Sequence, residues 1–138
     1  MNKTLHLEII TPEKKYFEGD VEMVVISSID GEMGILPGMA TTVTELSPGE
    51  MRYFYDKKWH YAYASDGFVE VTPAGVVVLS QEAENPEDIE EKRAIAEIEK
   101  SKEIMRQKRS LQEYKLSKAS LARAFGRLQV KNRHGMDM

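Results

Sequence analysis

Proline and glycine divide this chain. All five prolines (Pro12, Pro37, Pro48, Pro73 and Pro86) lie at or before position 86, and no glycine occurs between Gly75 and Gly126. Both residues interrupt helices. The stretch after Pro86 is therefore free to be helical, and the stretch before it is punctuated by turns. Nine of the eleven aromatic residues, which favour strands, precede residue 70; only Tyr114 and Phe125 lie beyond. Residues 1–85 read as β and 87–131 as α, with Asn85-Pro86 as the junction of two units, 1–85 and 86–138.

The first unit alternates with the period of a strand. Leu5, Leu7 and Ile9 alternate with His6, Glu8 and Ile10. Val21, Met23 and Val25 alternate with Glu22 and Val24. Trp59, Tyr61 and Tyr63 alternate with His60, Ala62 and Ala64, and Val76 to Leu79 is continuously apolar. Turn signals separate them: Thr11-Pro12-Glu13, Asp30-Gly31, Ser47-Pro48-Gly49, Asp56-Lys57-Lys58, Ser65-Asp66-Gly67 and Pro73-Ala74-Gly75. Many short strands so spaced predict an antiparallel sandwich or barrel.

The second unit predicts a helical hairpin. Pro86 suits a first turn, and Glu87, Asp88, Glu90 and Glu91 put negative charge at the positive end of the helix dipole. The first helix is expected from about residue 87 to about 105, with a thin stripe of Ile95, Ile98 and Met105 beside Ala94 and Ala96. Ser110 is placed to cap a second helix over about 111–131, with Glu113 completing a capping box. Tyr114, Leu121, Phe125 and Leu128 share one face of it, and Ala119 and Ala122 permit close approach. Neither stripe is wide. The spacing predicts a weakly docked pair that can detach.

Charge follows the same division. The whole chain carries a formal −4, but residues 1–85 hold 6 basic and 14 acidic side chains and residues 86–138 hold 13 and 9. That is an acidic first unit and a basic second one. From Leu111 to His134 the cations are Lys115, Lys118, Arg123, Arg127, Lys131 and Arg133, against Glu113 alone. A solvated face, an acidic protein partner, a nucleotide phosphate and nucleic acid all fit such a helix. Nucleic acid fits least, because the acidic unit repels phosphates at long range. Arg123 and Arg127, four residues apart, project from one face and can grip a polyphosphate.

Catalysis finds no footing. The three histidines, His6, His60 and His134, have no serine or aspartate partner in a recognisable signature, and His134 falls in a tail expected to fray. No HExxH, Walker A, GxSxG or EF-hand spacing occurs. The chain has no cysteine, so disulfides, thiolate zinc sites and thiol catalysis are excluded. No metal site is expected. The longest apolar run, Ala74 to Leu79, is far short of the roughly 20 residues that span a bilayer. The amino-terminal stretch does not read as a signal peptide, and a soluble protein is expected.

Asp30 to Gly38 is the most individual stretch: three glycines and a proline in nine residues predict an exposed loop. Met33, Ile35, Leu36 and Met39 bring apolar side chains to it. They either fold back on the core or present a contact surface to a partner.

Gly31-Glu32-Met33-Gly34-Ile35-Leu36-Pro37-Gly38 resembles the G-E-(L/M)-G-I-L-P-G signature of the epsilon subunit of the bacterial and chloroplast proton-translocating ATP synthase. Ser47-Pro48-Gly49, Gly67-Phe68-Val69-Glu70-Val71 and Ile89-Glu90-Glu91-Lys92-Arg93-Ala94 fall where that family has its PG turn, its GFVEV-like strand and its first carboxy-terminal helix. The resemblance covers nearly the whole chain. It departs at Met39 and Thr41, where the family has His and Pro.

The resemblance implies a ten-stranded β sandwich followed by a two-helix hairpin, in a rotor part that is not itself an enzyme. The sandwich would bind the gamma subunit of the central stalk and sit on the c-ring, with Gly31 to Met39 as the ring-facing loop. The basic second helix would rise along gamma to acidic segments of the catalytic alpha and beta subunits and block ATP hydrolysis. The complex would hold the chain peripherally on the cytoplasmic face of a bacterial plasma membrane. No cofactor is implied. ATP enters as a regulatory ligand of some members through an (I/L)-D-x-x-R-A motif, matched here by Ile89, Arg93 and Ala94, with Arg123 and Arg127 on the second helix and Glu84 at the junction. Glu90 stands at the motif's Asp and Lys100 where an arginine is expected; both changes weaken a polyphosphate grip. A freestanding nucleotide-sensing module is the alternative reading.

Overall fold

The computed structural model describes residues 3–107 and 110–135. Ten strands come first: β1 (Leu5–Ile10), β2 (Lys15–Val21), β3 (Met23–Ser28), β4 (Gly31–Ile35), β5 (Thr42–Leu46), β6 (Gly49–Tyr55), β7 (Lys58–Ala64), β8 (Gly67–Thr72), β9 (Gly75–Ser80) and β10 (Ala83–Glu84). A 3-10 turn at Pro86–Asp88 leads to α1 (Glu91–Gln107) and α2 (Leu111–His134).

The strands run in the order β10-β7-β6-β3-β5-β8-β9-β1-β2, with β4 also on β3. Only the Ser28–Leu46 pair joins β3 to β5. The sheet folds over at that narrow join into two packed layers. All pairings are antiparallel except β1 with β9, which run parallel from Leu7↔Val76 to Ile10↔Leu79. The sheet is therefore mixed at one seam, where β1 meets a strand far along the chain.

Alternation sets the core. Leu7, Ile9, Val24, Ile26, Met51, Val69, Val76 and Val78 point between the layers and are essentially inaccessible. Their neighbours Glu8, Arg52, Phe68 and Glu70 point outward. One alternation is displaced: Val21 closes β2, Glu22 turns the chain with its N–H on the Phe54 carbonyl at 2.9 Å, and β3 then buries Val24 and Ile26. The expected Val21-Met23-Val25 face is thus broken at Glu22.

The stretch expected as an exposed loop is mainly a strand. Gly31 to Ile35 pairs with β3 from Ser28↔Gly31 to Val24↔Ile35, and Ile35 is in the core. The tight turn is at Ile29-Asp30, fixed by Ser28 Oγ donating to the Gly31 carbonyl at 2.6 Å. Gly31 takes φ +112°, which a side chain would resist. Only Leu36 to Met39 remains as loop.

The first helix begins later than its acidic run implies. Ile89 is extended (φ −76°, ψ 126°) and 2 % exposed, packed with Tyr63 and Val130. Burying that side chain holds the backbone out of the helix until Glu91. Ser110 caps α2 as expected, its Oγ accepting from Glu113 N at 3.0 Å. The second helix runs to His134, past the expected end.

Candidate functional site

The hairpin lies against the outer face of β6 and β7. Tyr63, which faces outward from β7, is completely covered by Ile89 and Val130. Gly126 makes the close approach possible: a Cβ there would meet Pro48 backbone atoms at 3.1 Å and the Tyr63 ring at 3.2 Å. The expected close-packing residues, Ala119 and Ala122, are exposed instead. So are Tyr114 and Phe125, while Leu121 and Leu128 are half-buried. The buried positions of α2 are Ser117, Ala124, Gly126, Arg127 and Val130. The helix docks through small residues, Val130 and one arginine, and turns much of its large apolar surface away.

A cleft of about 1010 Å3 opens between hairpin and sandwich. Its walls carry Lys14, Arg93, Lys100, Arg123 and Arg127 against Glu13, Glu82, Glu84 and Glu97. The sandwich wall is pinned by two buried serines: Ser80 Oγ donates to the Glu82 carbonyl at 2.7 Å, and Ser65 Oγ accepts from Glu82 N at 2.9 Å. These bonds position β10 and so aim Glu84 at α2. Arg127 Nη2 donates to Glu84 Oε2 at 3.2 Å, and its Nε lies 2.8 Å from Glu84 Oε1 without directing its hydrogen there. Glu97 of α1 is 3.6 Å from Arg127 Nη1. Burial disfavours the Arg127 charge, but the Glu84 hydrogen bond and the acids around it more than offset that and raise its pKa. Arg123 Nη1 lies 3.5 Å from Asp66 Oδ1.

Four of the candidate nucleotide residues, Glu84, Arg93, Arg123 and Arg127, therefore converge on one cleft, with Lys100 beside them. The other three do not line it. Ile89 is in the Tyr63 cluster, Ala94 is fully buried, and Glu90 is exposed just before α1, its carbonyl accepting from Ala94 N. Sequence reasoning missed Glu82, Glu97, Ser117 and Ser120, which line the cleft. Glu97, four residues after Arg93, was findable as an i,i+4 partner.

The six basic residues of α2 split into two groups. Arg123, Arg127 and Arg133 face carboxylates of the sandwich, and Lys131 Nζ donates to the Glu87 carbonyl at 3.3 Å. Lys115 and Lys118 are exposed and have no ion-pair partner among the described residues. His134 is not in a frayed tail. It ends α2, stacks on Tyr61 at 3.8 Å and bonds Glu50 at 2.5 Å.

Two further surfaces stand out. On the outer face of β5, β8 and β9, Val43, Phe68 and Leu79 are half or more exposed, with Phe68 directly opposite Leu79. At one end of the sandwich, Leu36 to Met39 meet the Thr72–Gly75 turn around a groove of about 550 Å3. Leu36 is exposed there, and Met39 N donates to its carbonyl.

Residues 4–86 match the family model described as the ATP synthase delta/epsilon chain, beta-sandwich domain. The chain is 41 % identical over 135 residues to an ATP synthase epsilon chain of Caldanaerobacter subterraneus subsp. tengcongensis, covering 97 % of this chain and 98 % of that one. It is 42 % identical over 130 residues to the epsilon chain of Ruminiclostridium cellulolyticum, covering 94 % and 97 %. The chain belongs to the ATP synthase delta/epsilon family.

Members of this family are accessory subunits without catalysis of their own, which agrees with the lack of any acid–base or nucleophile constellation in the sequence. The fold also matches a chain in the cryo-EM structure of the Euglena gracilis mitochondrial ATP synthase OSCP/F1/c-ring assembly. The TM-score is 0.81 at 22 % identity, over 97 % of this chain and 84 % of that one. Among the described residues no helix is long and apolar enough to cross a membrane.

Proposed function

We propose that this family member is a rotor subunit with two units, 1–85 and 86–138. The sandwich couples the gamma subunit to the c-ring, and the hairpin inhibits ATP hydrolysis. The packing of α2 carries this reading. Its buried positions are small residues, Val130 and Arg127, while Leu111, Tyr114, Leu116 and Phe125 are exposed in the docked form. A helix that leaves its large apolar residues bare has a second surface to occupy, and the unpaired Lys115 and Lys118 suit acidic segments of the alpha and beta subunits. The Val43–Phe68–Leu79 face offers gamma an apolar contact. The Glu32 to Met39 end offers one to the ring. In this reading the chain lies peripherally on the cytoplasmic face of a bacterial plasma membrane, held by the complex.

ATP is the proposed regulatory ligand, taken by the cleft in the docked form. Arg93, Lys100, Arg123 and Arg127 converge there and can share a polyphosphate. Glu84 and Glu97 already neutralise Arg127, so the ligand must compete for it. Calorimetric titration of the chain with ATP tests the sensor: no heat at millimolar ATP removes it. Co-purification with gamma tests the structural role, and its absence removes that role.

A further inference from the structure

The carboxy-terminal end of α2 is held by one carboxylate. Glu50 on β6 is nearly buried, and its Oε1 takes His134 Nε2 at 2.5 Å and Arg133 Nη1 at 3.5 Å. The His134 ring stacks on Tyr61 of β7, the strand neighbour of β6. The other oxygen of Glu50 is engaged from the opposite side: Arg52 Nη1 donates to Oε2 at 3.0 Å. The same Arg52 nitrogen donates to Glu32 of β4 at 2.7 Å. One line of charge thus runs from the Gly31–Met39 segment to the end of the hairpin, through Glu32, Arg52, Glu50 and His134 with Arg133. Its members come from β4, β6 and α2, and Tyr61 on β7 closes it.

We infer that Glu50 is a shared latch: it holds the end of α2 on the sandwich, and Arg52 couples that hold to the charge at Glu32. The sign follows from electrostatics. Two carboxylates here balance Arg52 and Arg133, and His134 adds a positive charge when protonated. Neutralising Glu32 leaves Arg52 with Glu50 as its only acid among the described residues, so Arg52 draws on Glu50 in competition with α2. The cluster also becomes one unit more positive around two groups that are themselves cationic or protonatable. Both effects loosen the latch. Neutralising Arg52 does the reverse, because it frees Glu50 for Arg133 and His134 and leaves the cluster one unit more negative. The opposite signs separate a relay from simple support: Glu32 is exposed, lies on another strand and, among the described residues, makes no hydrogen bond or ion pair with α2.

That a partner covers the Glu32 to Met39 end rests on the rotor reading above; the relay itself does not. A cation placed against Glu32 releases the hairpin without touching it.

Amide hydrogen exchange of residues 126–134 in the full chain at neutral pH tests the relay, because exchange there reports local opening of the helix end. Glu50→Gln should accelerate exchange by about tenfold. Glu32→Gln should accelerate it by about two- to fivefold, and Arg52→Gln should slow it. Amides of β1, β8 and β9 should stay unchanged, which reports an intact sandwich. Raising salt should shrink the Glu32→Gln effect. Wild-type exchange in Glu32→Gln, or acceleration in Arg52→Gln, overturns the relay and leaves the rotor reading standing. Failure of the chain to join gamma overturns the rotor reading and leaves the relay standing.

Discussion

Arg127 of α2 and Glu84 of β10 form an ion pair that spans the junction between hairpin and sandwich, with Nε 2.8 Å from Oε1. Arg127 is 9 % exposed, and it is the one charged residue among the buried positions of α2. The pair fixes where the helix sits and forms one wall of the cleft. Arg127→Ala leaves Glu84 without its partner and removes packed volume. It should weaken hairpin docking by about 1–3 kcal/mol. Arg127→Lys should recover only part of this, since a compact ammonium cannot reach Glu84 and Glu97 together as the guanidinium does. Thermal unfolding followed by helical circular dichroism checks both.

Gly126 is the point of closest approach, with Pro48 backbone atoms 3.1 Å from a built Cβ. Gly126→Val forces the helix off the Pro48 backbone at the start of β6 and should cost about 1–3 kcal/mol of docking. The sandwich should be unaffected. Protease cleavage within residues 86–135 should rise in this variant while residues 3–85 stay protected.

The exposed residues of α2 should behave oppositely. Leu111→Ser and Leu116→Ser change side chains that are largely exposed in the docked form. Stability of the chain alone should change by less than about 0.5 kcal/mol. Inhibition of ATP hydrolysis in the assembled complex should fall. A large loss of stability in the free chain would show that these side chains are held in the docked hairpin.

Acid should weaken the latch. Burial disfavours ionised Glu50, but hydrogen bonds from His134 and Arg52 more than offset this and hold its pKa below the usual glutamate value. A group depressed in the folded state contributes stability above its unfolded pKa and loses it as pH falls through the folded one. The stability difference between wild type and Glu50→Gln should therefore be full at neutral pH. It should shrink as pH drops below the ordinary glutamate range of about 4.3. Urea midpoints measured from pH 7 to pH 3 read this directly.

Much of the fold was legible because it rests on local periodicity and punctuation. Leu7 and Ile9 in one strand and Ser110 as a cap follow from spacing of two or three residues. What failed depends on partners distant in sequence. Gly31 to Ile35 reads as loop until β3 lies beside it, because the three glycines of Asp30 to Gly38 mimic a turn. Ile89 reads as helix until Tyr63 and Val130 offer it a pocket. The docking face of α2 was misread for a related reason: large apolar residues mark buried faces in most helices, whereas this one approaches through Gly126 and Ala124. Arg123 and Arg127 follow from their spacing of four, and the family resemblance adds Glu84 and Arg93. Ile89, Glu90 and Ala94 come by position in the family motif and do not reach the cleft.

The hairpin as a detachable inhibitor is tested most directly by ATP hydrolysis in the assembled complex, comparing the full chain with one ending at Pro86. Hydrolysis should rise when residues 87–138 are absent, with the sandwich still bound to gamma. Equal hydrolysis in the two complexes would contradict the inhibitory role of the hairpin.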